Sequence, residues 1–445
     1  MLAAQNEVDL RHELLERLNQ ARTLTDQLFE VVRPDSLYER PIPERHRIVF
    51  YIGHLEAFDW NLLRDRMFRL DALHPEYDRL FAFGIDPVGG GLPSDQPQDW
   101  PALGDVREYV NRVRGTLDDG LQSQLSGPSG SERPEFPFPL LLQVAIEHRL
   151  MHAETLAYMF HQLPLDRKVR TQLKPELVAR PATQGMVQIP AGRVTLGLRH
   201  DDRESFGWDN EYEQHEADVP AFAIDKCKIM NAEYLDFMIA GGYENRDYWK
   251  PADWDWKTKH AVTHPGFWRR RADAWCLTTM FDEVPLPLDW PVYVSHAEAS
   301  AYALWAGKAL PTEAQWQRAA YGTPGGDERA YPWGADSPTA KRGNFDFQRW
   351  DPTPVGAYPE GQSAFGLMDM AGNGWEWTST LFSPFPGFKP FPFYLGYSAD
   401  FFDSRHFVMK GGSARTAACM LRRSFRNWFQ PHYPYVYAGF RCVSR

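Results

Sequence analysis

The sequence predicts an α+β protein of two domains, a four-helix bundle followed by a loop-rich domain of short strands. Three observations carry this expectation. At 445 residues the chain exceeds one ordinary hydrophobic core. Up to about residue 170, apolar residues recur at three- and four-residue spacing, the period of an amphipathic helix. Beyond it the texture turns to Gly, Pro and Trp, and most of the 16 tryptophans follow residue 205. Large flat side chains of that kind pin irregular backbone.

Leu10, Leu14, Leu18 and Leu24 lead one helical stripe that runs to Val32. A second helix is expected at 45–70, a third at 103–125 and a fourth at 138–162. Helices of this length pack up and down, and their facing sides commonly house metals. The connection GPSGSERPEFPFP (127–139) breaks the pattern with Gly and Pro. These limits divide the chain into a bundle (1–165), a linker (166–185) and a second domain (186–445). In the latter, one helix is expected at 295–307, with Ser295 as its N-cap and Gly307 as its stop.

Bulk properties exclude several classes. A net charge of −11, without a long Lys/Arg run, argues against a nucleic-acid or anionic-membrane partner. The four cysteines are scattered and lack CxxC pairing, so a reducing cytoplasm is the expected compartment. The opening MLAAQNEVDLRHELLERL has no apolar signal core, and no apolar run reaches membrane-spanning length. A soluble cytoplasmic protein is expected.

Three histidines stand out. His148 and His152 lie four residues apart, on one face of the fourth helix, so both imidazoles can reach one ion. His54 on the second helix supplies a third ligand if the two helices face each other. Three neutral imidazoles leave coordination positions open for substrate and O2. Spacing alone leaves coincidence open, because 14 histidines give chance pairs. Glu154 reads either as a partner of the ligands or as a solvated charge, and His46 and His161 read as helix-surface residues.

The second domain carries MVQIPAGRVTLG (186–197), VPAFAIDKCKIMNAEYLDFM (219–238), WPVYVSHAEASAYALWAGKALPTEAQWQRAA (290–320), YPWG (331–334), FGLMDMAGNGWEWT (365–378), KGGS (410–413) and AGFRC (438–442). In that order they resemble the formylglycine-generating-enzyme (sulfatase-modifying factor) family, which implies a C-type-lectin-like α+β domain. Formylglycine-generating enzymes use a cysteine pair shortly after GGS. Here Cys419 stands alone in SARTAACMLRRSF, which argues against that activity. A DinB-like four-helix bundle with His54 and HxxxHxE, fused before such a domain, resembles the sulfoxide synthases of ergothioneine biosynthesis. FGWDNE (206–211), PGFKPFPFYLGYSADFFD (386–403) and SFRNW (424–428) extend that likeness.

The resemblance implies Fe(2+) held by His54, His148 and His152, with O2 as co-substrate. It further implies hercynine, a trimethylated histidine, placed beside a thiol donor. YLGY matches the segment bearing the family's helper tyrosine, so Tyr394 is the catalytic candidate and Tyr397 a pocket wall. Asn427 and Trp428 match substrate-contacting positions. Packing in a Pro/Phe-rich loop is the competing reading of both tyrosines.

Departures from the family pattern point to the donor. Relatives that use gamma-glutamylcysteine carry an Asp and an Arg where this chain has Phe429 and Tyr433, and aromatic rings cannot offer charged hydrogen bonds. Met151 replaces a Gln before the last histidine, and GGGLPS (89–94) replaces a basic turn. Free cysteine or a selenosugar is therefore the expected donor, the latter as in selenoneine synthases. Met151 leaves histidine open as acceptor, as in ovothiol synthesis. A non-catalytic lectin-like binding protein and a zinc-dependent thiol transferase are the readings from other classes.

Overall fold

Among the described residues, five helices build the first part of the chain: α1 (Leu2–Phe29), α2 (Ile48–Leu63), α3 (Pro75–Leu80), α4 (Leu103–Ser126) and α5 (Phe138–His161). In the computed structural model the described residues are 2–82, 92–126, 135–171, 174, 177, 184–202 and 205–444. They form two units, Met1–Thr171 and Gln172–Arg445. The Gly/Pro connection at 127–134, the turn through 89–91 and most of 172–183 lie outside the described residues.

Periodicity explains the bundle. On α4, Val106, Val110, Val113, Leu117 and Leu121 form one buried stripe, as do Leu14, Leu18, Ala21 and Leu28 on α1. By contrast α2 (IVFYIGHLEAFDWNLL) is apolar nearly all round and is buried on nearly every side. It is shorter than the expected 45–70. It begins only at Ile48, and after Leu63 the backbone loosens into a π-turn, Arg64–Phe68, that ends at Arg69 in the left-handed conformation. Two histidine expectations also need correction. His46 precedes α2 and packs its ring at a tilt against Phe50 (4.2 Å), and His161, at the end of α5, is buried.

A charged network ties the four long helices together. Fully buried Arg149 (α5) pairs with Asp59 (2.7 Å) and Glu56 (3.0 Å) of α2 and donates to Thr25 Oγ1 (3.3 Å) of α1. Arg114 (α4) meets Glu56 (2.7 Å) and Asp26 (2.7 Å) of α1. Burial alone would raise the Glu56 carboxyl, but Arg149, Arg114 and Arg22 override it and hold it at about 2. Arg149→Met strands the buried carboxylate of Asp59 and takes one of two arginines from Glu56, so it is expected to cost about 3–5 kcal/mol. Chemical denaturation measures this, and a loss under about 1 kcal/mol would contradict the network's role.

The second unit contains β1 (Met186–Ile189), β2 (Gly192–Leu196), β3 (His215–Val219), β4 (Phe222–Asp225), α6 (Asn231–Ile239), α7 (Pro251–Lys259), β5 (Trp268–Arg271), β6 (Ala274–Thr278), β7 (Glu283–Pro285), α8 (His296–Trp305), β8 (Lys308–Ala309), α9 (Glu313–Tyr321), β9 (Trp375–Leu381), β10 (Phe407–Lys410), β11 (Asn427–Phe429), β12 (Ala438–Gly439) and β13 (Val443–Ser444). One sheet runs β1-β4-β13-β8 and another β11-β10-β9-β12, with smaller sheets β2-β3 and β5-β6-β7. Ile189, Val194, Ile224, Trp316, Leu367 and Met370 form part of the core beneath α9.

Side chains hold what the short ladders cannot. Ser295 caps α8 by accepting from the Glu298 N–H, and Gly307 follows the helix at φ +67°, as expected from the sequence. The Trp377 indole donates to the Val294 carbonyl (2.9 Å), and that of Trp249 to Gly242 (2.8 Å). Glu376 of β9 receives fully buried Lys228 (2.7 Å) and Arg441 (2.6 Å). The turn before β9 needs Gly374. At φ +117°, a Cβ there would also lie 2.6 Å from the Tyr293 ring.

Candidate metal centre and aromatic pocket residues

Helical geometry places the three histidines. Phe50, His54 and Phe58 recur every four residues on α2, and His148 and His152 do so on α5. The five rings interleave: His54 stacks on Phe50 (4.9 Å) and His148 on Phe58 (3.4 Å). His152 Nε2 lies 3.2 Å from His54 Nε2 and 3.2 Å from His148 Nε2. Among the described residues this is the one group of three or more His, Cys, Asp or Glu able to hold a metal ion, and all three rings are buried.

The nitrogens are in the right chemical state. Burial lowers the His54 pKa to about 4, with His46 and Arg149 adding repulsion, and burial takes His148 and His152 well below the usual histidine value. All three are neutral at pH 7. The His54 Nδ1–H donates to the Phe81 carbonyl (2.7 Å), leaving the Nε2 lone pair facing its neighbours.

Those contacts fit a cation better than protons. If His152 Nε2 carries a proton toward His54, it has no lone pair left for His148. A proton on His148 Nε2 that serves His152 leaves the His54 contact as two opposed lone pairs. One ion drawing on three lone pairs satisfies both contacts. Metal–nitrogen bonds of about 2.0–2.1 Å set adjacent ligand nitrogens roughly 3 Å apart, close to the spacing observed.

Gly53 makes the Phe81 hydrogen bond possible. A Cβ at Gly53 would lie 2.5 Å from the Phe81 ring, so only glycine lets that ring sit against α2 with its carbonyl on His54. Gly53→Ala is expected to weaken divalent-metal binding about 10–100-fold through the displaced Phe81. Calorimetric titration checks this, and an unchanged affinity would remove Phe81 from the centre. Sequence reading missed Gly53, Phe81 and the two flanking phenylalanines. The phenylalanines had a signal in their four-residue spacing from His54, whereas Phe81 had none. Glu154 is 8% exposed, so it is not a solvated charge. Met151 is half-buried on α5, next to His152.

In the second unit, Tyr394 and Tyr397 lie in the segment before a short 3-10 turn at Ala399–Phe401. Tyr397 stacks on buried Trp208 (4.1 Å), and the half-buried Tyr394 ring lies 6.4 Å from Trp208 and 5.5 Å from Tyr397. On β11, Trp428 stacks on Phe382 (4.2 Å) and meets Tyr397 edge-on (5.5 Å), while the Asn427 side-chain Oδ1 accepts from the Trp428 backbone N–H (2.8 Å). Phe429 and Tyr433 stack on each other (5.2 Å), with Tyr435 edge-on to Tyr433 (5.0 Å). Tyr394, Tyr397, Asn427 and Trp428 thus form one group, and Phe429, Tyr433 and Tyr435 a second that starts on the same strand.

Known proteins match both parts of the chain. Residues 171–445 match the sulfatase-modifying factor enzyme 1-like domain, and residues 17–156 match the DinB superfamily. A hercynine oxygenase of Mycolicibacterium smegmatis is 33% identical over 97% of this chain and 99% of its own length. The chain belongs to the hercynine oxygenase family. A hercynine oxygenase of Mycobacterium tuberculosis is 38% identical over 76% of this chain and 77% of its own. The ergothioneine biosynthesis protein 1 of Neurospora crassa is 28% identical over 93% of this chain and 55% of its own. Membership of the hercynine oxygenase family makes the chain an oxidative enzyme with a DinB-like bundle and a formylglycine-generating-enzyme-like domain. A lone scaffold of lectin-like binding type is set aside by it. Among the described residues no helix is long and apolar enough to cross a membrane.

Proposed function

We propose that this enzyme uses iron(II) and O2 to join a sulfur or selenium atom to the imidazole of hercynine. The observation that carries the reading is the set of three buried neutral imidazoles converging on one point, in a chain of the hercynine oxygenase family. His54, His148 and His152 would hold the metal, and iron bound there supplies the one-electron chemistry that activates O2. Tyr394 is the proton donor of the reaction through its phenol. Asn427, Trp428 and Tyr397 hold the acceptor imidazole, and Met151 contributes an apolar contact beside His152. A set of three histidines suits zinc as well as iron, so obligatory O2 consumption is what separates redox iron from a hydrolytic zinc site. The chain works in the cytoplasm on small molecules.

The donor is a selenosugar or free cysteine, with the aromatic stack of Phe429, Tyr433 and Tyr435 favouring the sugar. Gamma-glutamylcysteine would leave its charged ends without the Asp and Arg that grip it in relatives. Each lost charged hydrogen bond costs roughly 1.5–3 kcal/mol. Two such losses amount to about a hundredfold or more in discrimination. With hercynine, iron(II), O2 and the three donors at equal concentration, mass spectrometry should find most product built from the selenosugar or cysteine. Phe429→Asp combined with Tyr433→Arg should shift preference toward the dipeptide. A parent enzyme that draws chiefly on gamma-glutamylcysteine would refute this pocket.

A further inference from the structure

We propose that Asp209 is a positioning residue for Tyr394, its carboxylate acting as a clasp across the segment 391–398. This rests on the functional reading of Tyr394 above. The segment has no strand ladder of its own and contains Pro392 and Gly396, and Leu395 is 62% exposed. Its internal bonds are two backbone turns, Tyr394 N–H to the Phe391 carbonyl (3.0 Å) and Tyr397 N–H to the Tyr394 carbonyl (3.2 Å). Such a segment opens readily unless its ends are held.

Asp209 holds both ends. Ser398 Oγ donates to Oδ1 (2.6 Å), and the Phe391 N–H donates to Oδ2 (3.4 Å). Asp209 is 2% exposed and Ser398 is fully buried. No basic side chain pairs with Asp209 among the described residues, so a buried carboxylate is retained on neutral donors alone. That arrangement is costly, and the two groups it fixes, the Phe391 amide and the Ser398 hydroxyl, flank Tyr394 in the chain. Trp208, the preceding residue, adds the ring on which Tyr397 stacks and with which the Tyr394 ring makes a T-shaped contact.

The same turn anchors the other substrate-facing element. Glu211 accepts from Ser424 Oγ (2.7 Å) and Arg422 Nε (2.7 Å), and the Asn210 carbonyl accepts from Arg426 (3.4 Å). Arg426 is itself locked on Glu313 (2.9 Å), immediately before β11. The 206–211 segment therefore sets Tyr394 and Tyr397 against Asn427 and Trp428 without itself carrying a reacting group.

Two measurements on the full-length chain test this. Hydrogen exchange on metal-free protein should show 391–398 exchanging about tenfold faster in Asp209→Ala, with the bundle unchanged. Ser398→Ala, which removes a single hydroxyl, should show the same change at smaller size and covers the case in which Asp209→Ala does not fold. In the iron-loaded enzyme, Asp209→Ala should lose about a hundredfold in turnover with unchanged iron content. In a Tyr394→Phe background the same change should cost less than about threefold, because the two residues act as one unit. Exchange that stays at the parent rate in both variants overturns the clasp. Faster exchange combined with losses that multiply those of Tyr394→Phe overturns action through the tyrosine. If Tyr394→Phe keeps the parent's rate and product, the functional reading fails instead, and the exchange data, taken without metal, identify that outcome.

Discussion

A chain in which His148 and His152 are both alanine should keep its helices and lose its metal and its turnover together. Alanine is the best helix former, so α5 tolerates the change. The bundle is held by the Arg149 and Arg114 network and by the α1 and α4 stripes, none of which uses the two imidazoles. Far-ultraviolet circular dichroism should therefore stay close to the parent's. Metal analysis should fall from about one iron per chain to a trace. Disturbing residues that merely orient ligands costs about 10–100-fold. Removing two of three ligands should cost more, at least about a thousandfold. Turnover at the parent rate in this variant, or in carefully demetallated protein, would end the assignment of the centre.

The second large effect is expected at Tyr394. Tyr394→Phe removes one oxygen and leaves the ring, so the contacts with Trp208 and Tyr397 survive. A loss then reports on the hydroxyl alone. If the phenol gives up a proton during bond formation, the rate should drop by roughly 10²–10⁴-fold, the usual worth of general-acid help. O2 consumed by the variant should be diverted toward oxidising the thiol donor. Single-turnover experiments with product analysis distinguish this from slower substrate binding. A variant with the parent's rate and product distribution would show that Tyr394 only packs.

What the sequence disclosed follows from how local each signal is. The HxxxH pair and the Ser295 cap are visible because their partners lie within one helical turn. The stripe on α4 is visible for the same reason. His161 read as a surface residue because nothing nearby reveals that the end of α5 is covered. The end of α2 was misplaced because apolar residues continue past Leu63 while the hydrogen bonding changes to a π-turn. The link from His54 to Phe81 spans the end of α2, the π-turn and α3, and that from Asp209 to Ser398 crosses most of the second unit. Such pairs have no period to read. Family motifs supplied Tyr394, Asn427 and Trp428 as candidates, but not the residues that hold them in place.

The way the bundle is tied together bears on the order in which the enzyme matures. Small zinc domains stay unfolded until their ion arrives, because the ion is the cross-link. Here the cross-links are Arg149 and Arg114, which belong to the chain itself and need no ion. On the proposed iron function, chain synthesis and metal loading are thereby uncoupled, and a stock of folded apoprotein would await loading. Supply of the metal would then govern how much of the stock is active without a new round of translation.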